Sequence, residues 1–174
     1  MRGARATPRL AFGARLEAGE RVLPEETAVA LSFNGAAQAV MMATPADLED
    51  FAYGFALTEG IAEPGEILSL TVERGARGID VQAWLAPEAE ARLAARRRTM
   101  AGPVGCGLCG IESIDQALRE MAPVPPSGFR LTAAQVMAAV AALPDRQPLH
   151  DATRSAHCAG LWLGEGMAAS REDV

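Results

Sequence analysis

Not one of the 174 residues is lysine; every basic side chain is arginine. We read this as compositional bias, with the consequence that any cluster of cations favours bidentate contacts to anions. Acidic residues outnumber basic ones, giving a net charge of −6 and a pI near 5.0, which argues against generic nucleic-acid binding. No apolar run reaches the length of a membrane span, since residues 28–43 are broken by Ser32, Asn34 and Gln38, and no membrane partner is expected. The Arg-rich first residues contain no apolar leader core. Cysteine is scarce and odd in number at three, so a reducing, cytoplasmic setting with reactive or ligating thiols is expected, not a secreted disulfide framework. Neither an internal repeat, a P-loop nor a dinucleotide G-x-G-x-x-G unit is present. What remains is a 49% apolar chain, long enough to bury a core as one or two small soluble domains.

Two of the three cysteines stand together. Gly105, Cys106, Gly107, Leu108, Cys109 and Gly110 form one short loop directly after a run of arginines. A C-x-x-C pair brings two sulfurs close enough to share a proton, a metal or a disulfide. Glycine lets backbone amides approach the sulfur and permits positive φ. The alternative is a pair of buried structural thiols, since free cysteine packs as a small hydrophobe. Beyond the loop, Ile111, Ile114, Leu118 and Met121 repeat at helical spacing. The thiols therefore precede a helix, whose N-terminal amides and partial positive charge favour thiolate. Arg96, Arg97 and Arg98 close the preceding helix. They are either ordinary C-terminal cations or an anion site that holds phosphate oxygens or lowers the thiol pKa.

The pattern predicts an α/β protein: an α+β N-terminal part with β-hairpins and helices, followed by a second α/β layer. Residues 1–26 show no sustained period and read as a variable, partly ordered arm. Residues 27–122 form an N-terminal α/β domain. Within it, Asn34-Gly35 between apolar runs predicts a buried hairpin. Thr44 as N-cap, Pro45 as first helical residue and Asp47 in the first turn predict a helix with Leu48, Phe51, Ala52 and Phe55 on one face, stopped by Gly60. Strands are expected at 67–72 and 79–85, with Ile79, Val81, Ala83 and Leu85 on the buried face, and Pro87 opens the next helix. Residues 123–130, rich in proline, form a linker. The remainder, 131–174, holds a helix capped by Thr132 carrying Val136, Val140 and Leu143 and closed by Pro144, then strands at 156–163 and from Met167.

This order of motifs resembles the formate dehydrogenase accessory sulfurtransferase family, the FdhD type. The resemblance rests on residues 28–35, on Met41-Met42-Ala43-Thr44-Pro45, Asp47, Leu48, Glu49, Phe51, Gly54, Phe55, Thr58, Glu59, Gly60 and Ile61, on Arg96 to Arg98 ahead of Gly105 to Gly110, and on Glu172-Asp173-Val174. It implies a sulfurtransferase that accepts persulfide sulfur from a cysteine desulfurase and delivers it to the bis-molybdopterin guanine dinucleotide form of the molybdenum cofactor, on which formate dehydrogenase depends. The expected partners are the desulfurase, formate dehydrogenase and the cofactor, with a homodimer left open, and no permanently bound cofactor is expected. Cys106 is the implied persulfide carrier and Cys109 its assistant. Arg96, Arg97, Arg98, Gly105, Gly107, Gly110 and His157 are the implied cofactor contacts; His157 also reads as an ordinary hydrogen-bonded histidine. Family members run on beyond the Glu-Asp-Val, so residues 131–174 are expected to be an incomplete cytidine-deaminase-like layer of a truncated chain. The family's Thr-His-Ala is here Ala156, His157 and Cys158, with no role assigned to Cys158.

Three rivals follow from the thiols. Cys106, Cys109, His157 and Cys158 are zinc-type ligands, although adjacent residues on a strand chelate poorly. A dithiol oxidoreductase would need a preceding βαβ unit, which is missing from the pattern. A molybdenum-cofactor-binding chaperone without catalysis would use the thiols only as ligands. No metal is expected.

Overall fold

The computed structural model describes residues 3–98 and 123–174, with only the backbone described for 95–98. The chain mixes strands and helices, as an α/β protein does. Its centre is a four-stranded sheet of β3 (Thr27–Phe33), β4 (Ala36–Ala43), β5 (Ile67–Gly75) and β6 (Gly78–Leu85), in the order β4-β3-β6-β5. The β3–β4 and β5–β6 pairs are antiparallel hairpins, and β3 and β6 join them in parallel register, Val29 opposite Ile79 through Phe33 opposite Ala83. The Asn34-Gly35 turn forms as expected, with φ of 49° and 76°, the left-handed pair that a two-residue hairpin requires. It also fastens the central joint: Asn34 N donates to Ala83 O (3.0 Å) and Leu85 N donates to Asn34 Oδ1 (2.7 Å).

One face of the sheet is apolar because β3 and β6 alternate. Val29, Leu31, Phe33, Ile79, Val81, Ala83 and Leu85 are all buried. Over them pack helix α1 (Leu48–Thr58), through Leu48, Ala52 and Ala56, and helix α2 (Pro87–Arg98), through Ala89 and Leu93. Phe55 of α1 stacks on Phe33, centroids 6.3 Å apart. Gly60 (φ 64°) ends α1 as its sequence predicts, in a Schellman pattern where Gly60 N donates to Leu57 O and Ile61 N to Ala56 O. Arg92 of α2 reaches Glu66 (2.5 Å) in the 3-10 turn Pro64–Glu66. That hydrogen bond, helped by one from the Glu63 backbone, holds the Glu66 carboxyl below the usual carboxylate range.

Two expectations change. Residues 4–24 are not an irregular arm: β1 (Ala4–Phe12) and β2 (Leu16–Pro24) form an antiparallel hairpin. Most of its side chains are exposed, so no buried face imposes the alternation by which a strand is read. The start of α1 also shifts. Thr44 and Pro45 lie before the helix, Asp47 takes the left-handed conformation (φ 49°) as the residue preceding the first turn, and it makes no side-chain cap. Its carboxylate faces Arg171 instead (3.6 Å).

Beyond the exposed, irregular stretch 123–132, helix α3 (Ala133–Ala142) begins at Thr132 with a full capping box, Gln135 N donating to Thr132 Oγ1 (3.2 Å). Its Val136 and Val140 are exposed. A short helix not foreseen from the sequence, α4 (Pro148–Thr153), follows and lies against β2. Strands β7 (His157–Trp162) and β8 (Met167–Asp173) then form an antiparallel hairpin, as expected.

Candidate functional site

The last three residues of β8 reach three different places. Side chains alternate along a strand, so neighbours in sequence serve separate elements. Arg171 bonds Asp50 of α1 through Nε (2.6 Å) and Nη2. Glu172 accepts from both Leu149 N and His150 N (2.8 Å each), satisfying two of the first amides of α4. Asp173 Oδ1 accepts from Thr44 N (2.7 Å), in the segment between β4 and α1.

These contacts frame a cleft of about 580 Å³ between α1 and the β7–β8 hairpin, within the usual range of small-ligand sites. Met41, Ala43, Phe51 and Phe55 form an apolar wall, and Gly54 leaves the α1 face open, since a Cβ there would meet nothing within 4 Å. His157 and Cys158 line the opposite side, paired across the hairpin with Asp173 and Glu172. The Thr44 hydroxyl is 4% exposed as a residue and has no hydrogen-bond partner among the described residues. Among the described residues, the carboxylates of Asp47, Asp50, Glu172 and Asp173 and the guanidinium of Arg171 line this cleft.

Cys158 is a free thiol donating weakly to Ala159 O (3.7 Å). Burial, and then the Glu172 carboxylate, push its pKa above the ordinary thiol value, against a smaller pull from a backbone hydrogen bond of Arg171. A thiol held neutral is a poor nucleophile. Arg171 is held more firmly protonated, chiefly by its hydrogen bond to Asp50.

Of the residues singled out in the sequence, His157 lies in this cleft, together with the unassigned Cys158. Cys106, Cys109, Gly105, Gly107 and Gly110 fall outside the described residues. Arg96, Arg97 and Arg98 form the end of α2, their side chains likewise outside the description. Among the described residues no three potential metal ligands gather, so a zinc set using His157 and Cys158 would have to be completed by the dithiol loop. Thr44, Asp47, Asp50, Arg171 and Asp173 were not marked by any chemical motif. Thr44, Asp47 and Asp173 stood among the residues that carry the family resemblance, and Asp50 and Arg171 lay beside them. No helix among the described residues is long and apolar enough to cross a membrane.

Comparison with known proteins agrees with the motif order. The FdhD/NarQ family model matches residues 24–174. Proteins named sulfur carrier protein FdhD from Agrobacterium fabrum and Bordetella bronchiseptica are 51% identical over 158 residues and 47% over 152 residues. The matches cover 90% and 86% of this chain and 58% and 55% of those relatives. A third, from Xanthomonas campestris, is 42% identical over 164 residues, covering 93% of this chain and 58% of its own. The chain thus spans little more than half the length of these relatives. In fold it resembles a crystal structure from Desulfotalea psychrophila, described as that of a formate dehydrogenase accessory protein. The TM-score is 0.66 at 17% identity, over 98% of this chain and 60% of that one. The chain belongs to the FdhD/NarQ family.

Proposed function

We propose that this chain carries the persulfide relay of a cytoplasmic sulfurtransferase that serves formate dehydrogenase maturation. The observation that carries the reading is that the Gly105–Gly110 dithiol loop falls inside the stretch matched to the family, whose curated members are named sulfur carriers. In this reading the Cys106 thiolate attacks the terminal sulfur of a persulfide on a cysteine desulfurase. A new S–S bond forms at Cys106, the donor's S–S bond breaks, and the donor cysteine leaves as thiolate. Cys109 then attacks the Sγ of Cys106. The transferred sulfur leaves as hydrosulfide, reduced by two electrons, while the two cysteines are oxidised to a disulfide. The bis-molybdopterin guanine dinucleotide is the acceptor substrate, and its phosphates fall to Arg96, Arg97 and Arg98, guanidinium being suited to bidentate phosphate contact. His157, on the cleft, is the remaining contact in this scheme. Cys158 is the weaker candidate for the sulfur, since burial and the Glu172 carboxylate raise its pKa.

The test is mass spectrometry of the full chain after incubation with a cysteine desulfurase and cysteine. The expected product is a gain of one sulfur atom, removed by reductant and mapped to Cys106. Absence of the adduct, or its appearance on Cys158, refutes the assignment. Retained support of formate dehydrogenase by Cys106→Ser would instead favour a cofactor chaperone.

A further inference from the structure

A second, smaller cavity adjoins the cleft and shares Thr44, Asp47 and Glu172 with it. It measures about 230 Å³, below the roughly 300–1,000 Å³ of drug-sized ligand sites, and so suits a small metabolite. Its third charged side chain is Arg146, from the 3-10 turn Pro144–Arg146. Of these charges only that of Glu172 is fully engaged, its carboxylate accepting from Leu149 N and His150 N (2.8 Å each). The Arg146 guanidinium has no hydrogen bond or ion pair among the described residues, although its backbone amide donates to Leu143 O (2.9 Å). The Asp47 carboxylate accepts no hydrogen bond among them either and has only the 3.6 Å approach of Arg171. Asp47 and Arg146 thus line one cavity without pairing, further apart than the ~4 Å of an ion pair.

A ligand with both charges on neighbouring atoms bridges such a gap and gains a charge-assisted hydrogen bond at each end. We propose that this cavity binds a free α-amino acid with a small side chain, its carboxylate held by Arg146 and its ammonium by Asp47. A lone anion would meet the Asp47 and Glu172 carboxylates, and a lone cation the Arg146 guanidinium; a zwitterion meets each sign with its opposite. The rest of the lining fits the same class. Ser170 and the buried Thr44, whose hydroxyl has no partner among the described residues, are polar, while Ala46, Pro148 and Leu149 offer only a small apolar surface. Arg146 is exposed and the Asp47 side chain is 57% exposed, so water screens both contacts and the expected Kd is on the order of 0.1–1 mM. The proposal makes no use of the dithiol loop and stands or falls apart from the sulfur relay.

The test is isothermal titration calorimetry of the full chain at low salt. The probes are glycine, L-alanine, L-serine and, under reductant, L-cysteine, together with acetate and methylamine, each of which carries one of the two charges. At least one of the four amino acids should bind saturably, one per chain, and tenfold or more tighter than acetate or methylamine. Arg146→Gln and Asp47→Asn should each weaken that binding at least tenfold. Asparagine tolerates the left-handed backbone of position 47, so the second variant keeps its fold. Asp50→Asn removes the other carboxylate facing Arg171 but does not line the cavity; it should bind as the parent does, which separates the ligand contact from the Arg171 contacts. No saturable binding by any of the four, equal binding of acetate or methylamine, unchanged binding in Arg146→Gln or Asp47→Asn, or the same loss in Asp50→Asn overturns the proposal.

Discussion

The sheet of residues 27–98 and the C-terminal stretch 123–174 are held by different forces. In the first, alternate residues of β3 and β6 meet α1 and α2 in a continuous apolar core, with Leu31 and Phe33 wholly buried. In the second, Leu149, Thr153 and Ala156 are buried, and order comes from named hydrogen bonds: Thr132 to Gln135, Glu172 to two amides, His150 Nδ1 to Ala156 O. Apolar burial carries no charge to be screened or titrated, whereas bonds to carboxylates are weakened by both salt and protonation. One wall of the cleft is thus set in the apolar core, and the other is placed largely by hydrogen bonds and ion pairs.

The contrast can be broken most directly by core truncation. Phe33→Ala should destabilise by about 3–5 kcal/mol, while Val136→Ala on the exposed side of α3 should stay within about 0.5 kcal/mol; urea unfolding measures both. Comparable losses would mean that α3 is covered as firmly as the core. Next in size, Glu172→Ala removes a charged acceptor shared by two amides and should cost the C-terminal stretch about 1.5–3 kcal/mol. Hydrogen exchange should show the loss at Leu149 and His150 and leave β3 protected; uniform loss would erase the distinction between the two regions. The smallest effect is a shift in titration. With its folded pKa raised, Cys158 stays protonated where an unfolded thiol ionises. Its contribution to stability is therefore complete below the ordinary thiol pKa and fades as pH climbs through the folded value. Alkylation of Cys158 should accordingly have its midpoint above that of an unfolded control peptide, and Glu172→Gln should lower it.

How far the sequence could be read follows the same division. Where one face is buried, the pattern is local and legible: the β3–β4 hairpin with its Asn34-Gly35 turn, β6, α2 and the Gly60 stop all stand where expected. α3 was equally legible, because Thr132 and Gln135 lie within one turn. The failures are features whose causes lie elsewhere in the chain. The β1–β2 hairpin has mostly exposed faces and so no period. Thr44 does not cap α1, which starts only after Asp47, and the Asp47 carboxylate faces Arg171, far along the chain. Helix α4 is preceded by Gln147, which makes no side-chain cap, and its acceptor is Glu172. Within the cleft, His157 was legible as a chemical residue type, but that Thr44, Asp50 and Asp173 meet there became visible only when the fold brought β4, α1 and β8 together. The dithiol loop, the clearest chemical signal in the sequence, lies outside the described residues.

The forked contact of Glu172 has a consequence for the order of synthesis. A helix of six residues has little stability of its own, and α4 must wait for an acceptor that the ribosome adds more than twenty residues later. A nascent chain that has exposed Pro148–Thr153 but not yet β8 therefore lacks that helix, and one wall of the cleft is assembled after the four-stranded sheet has had time to form.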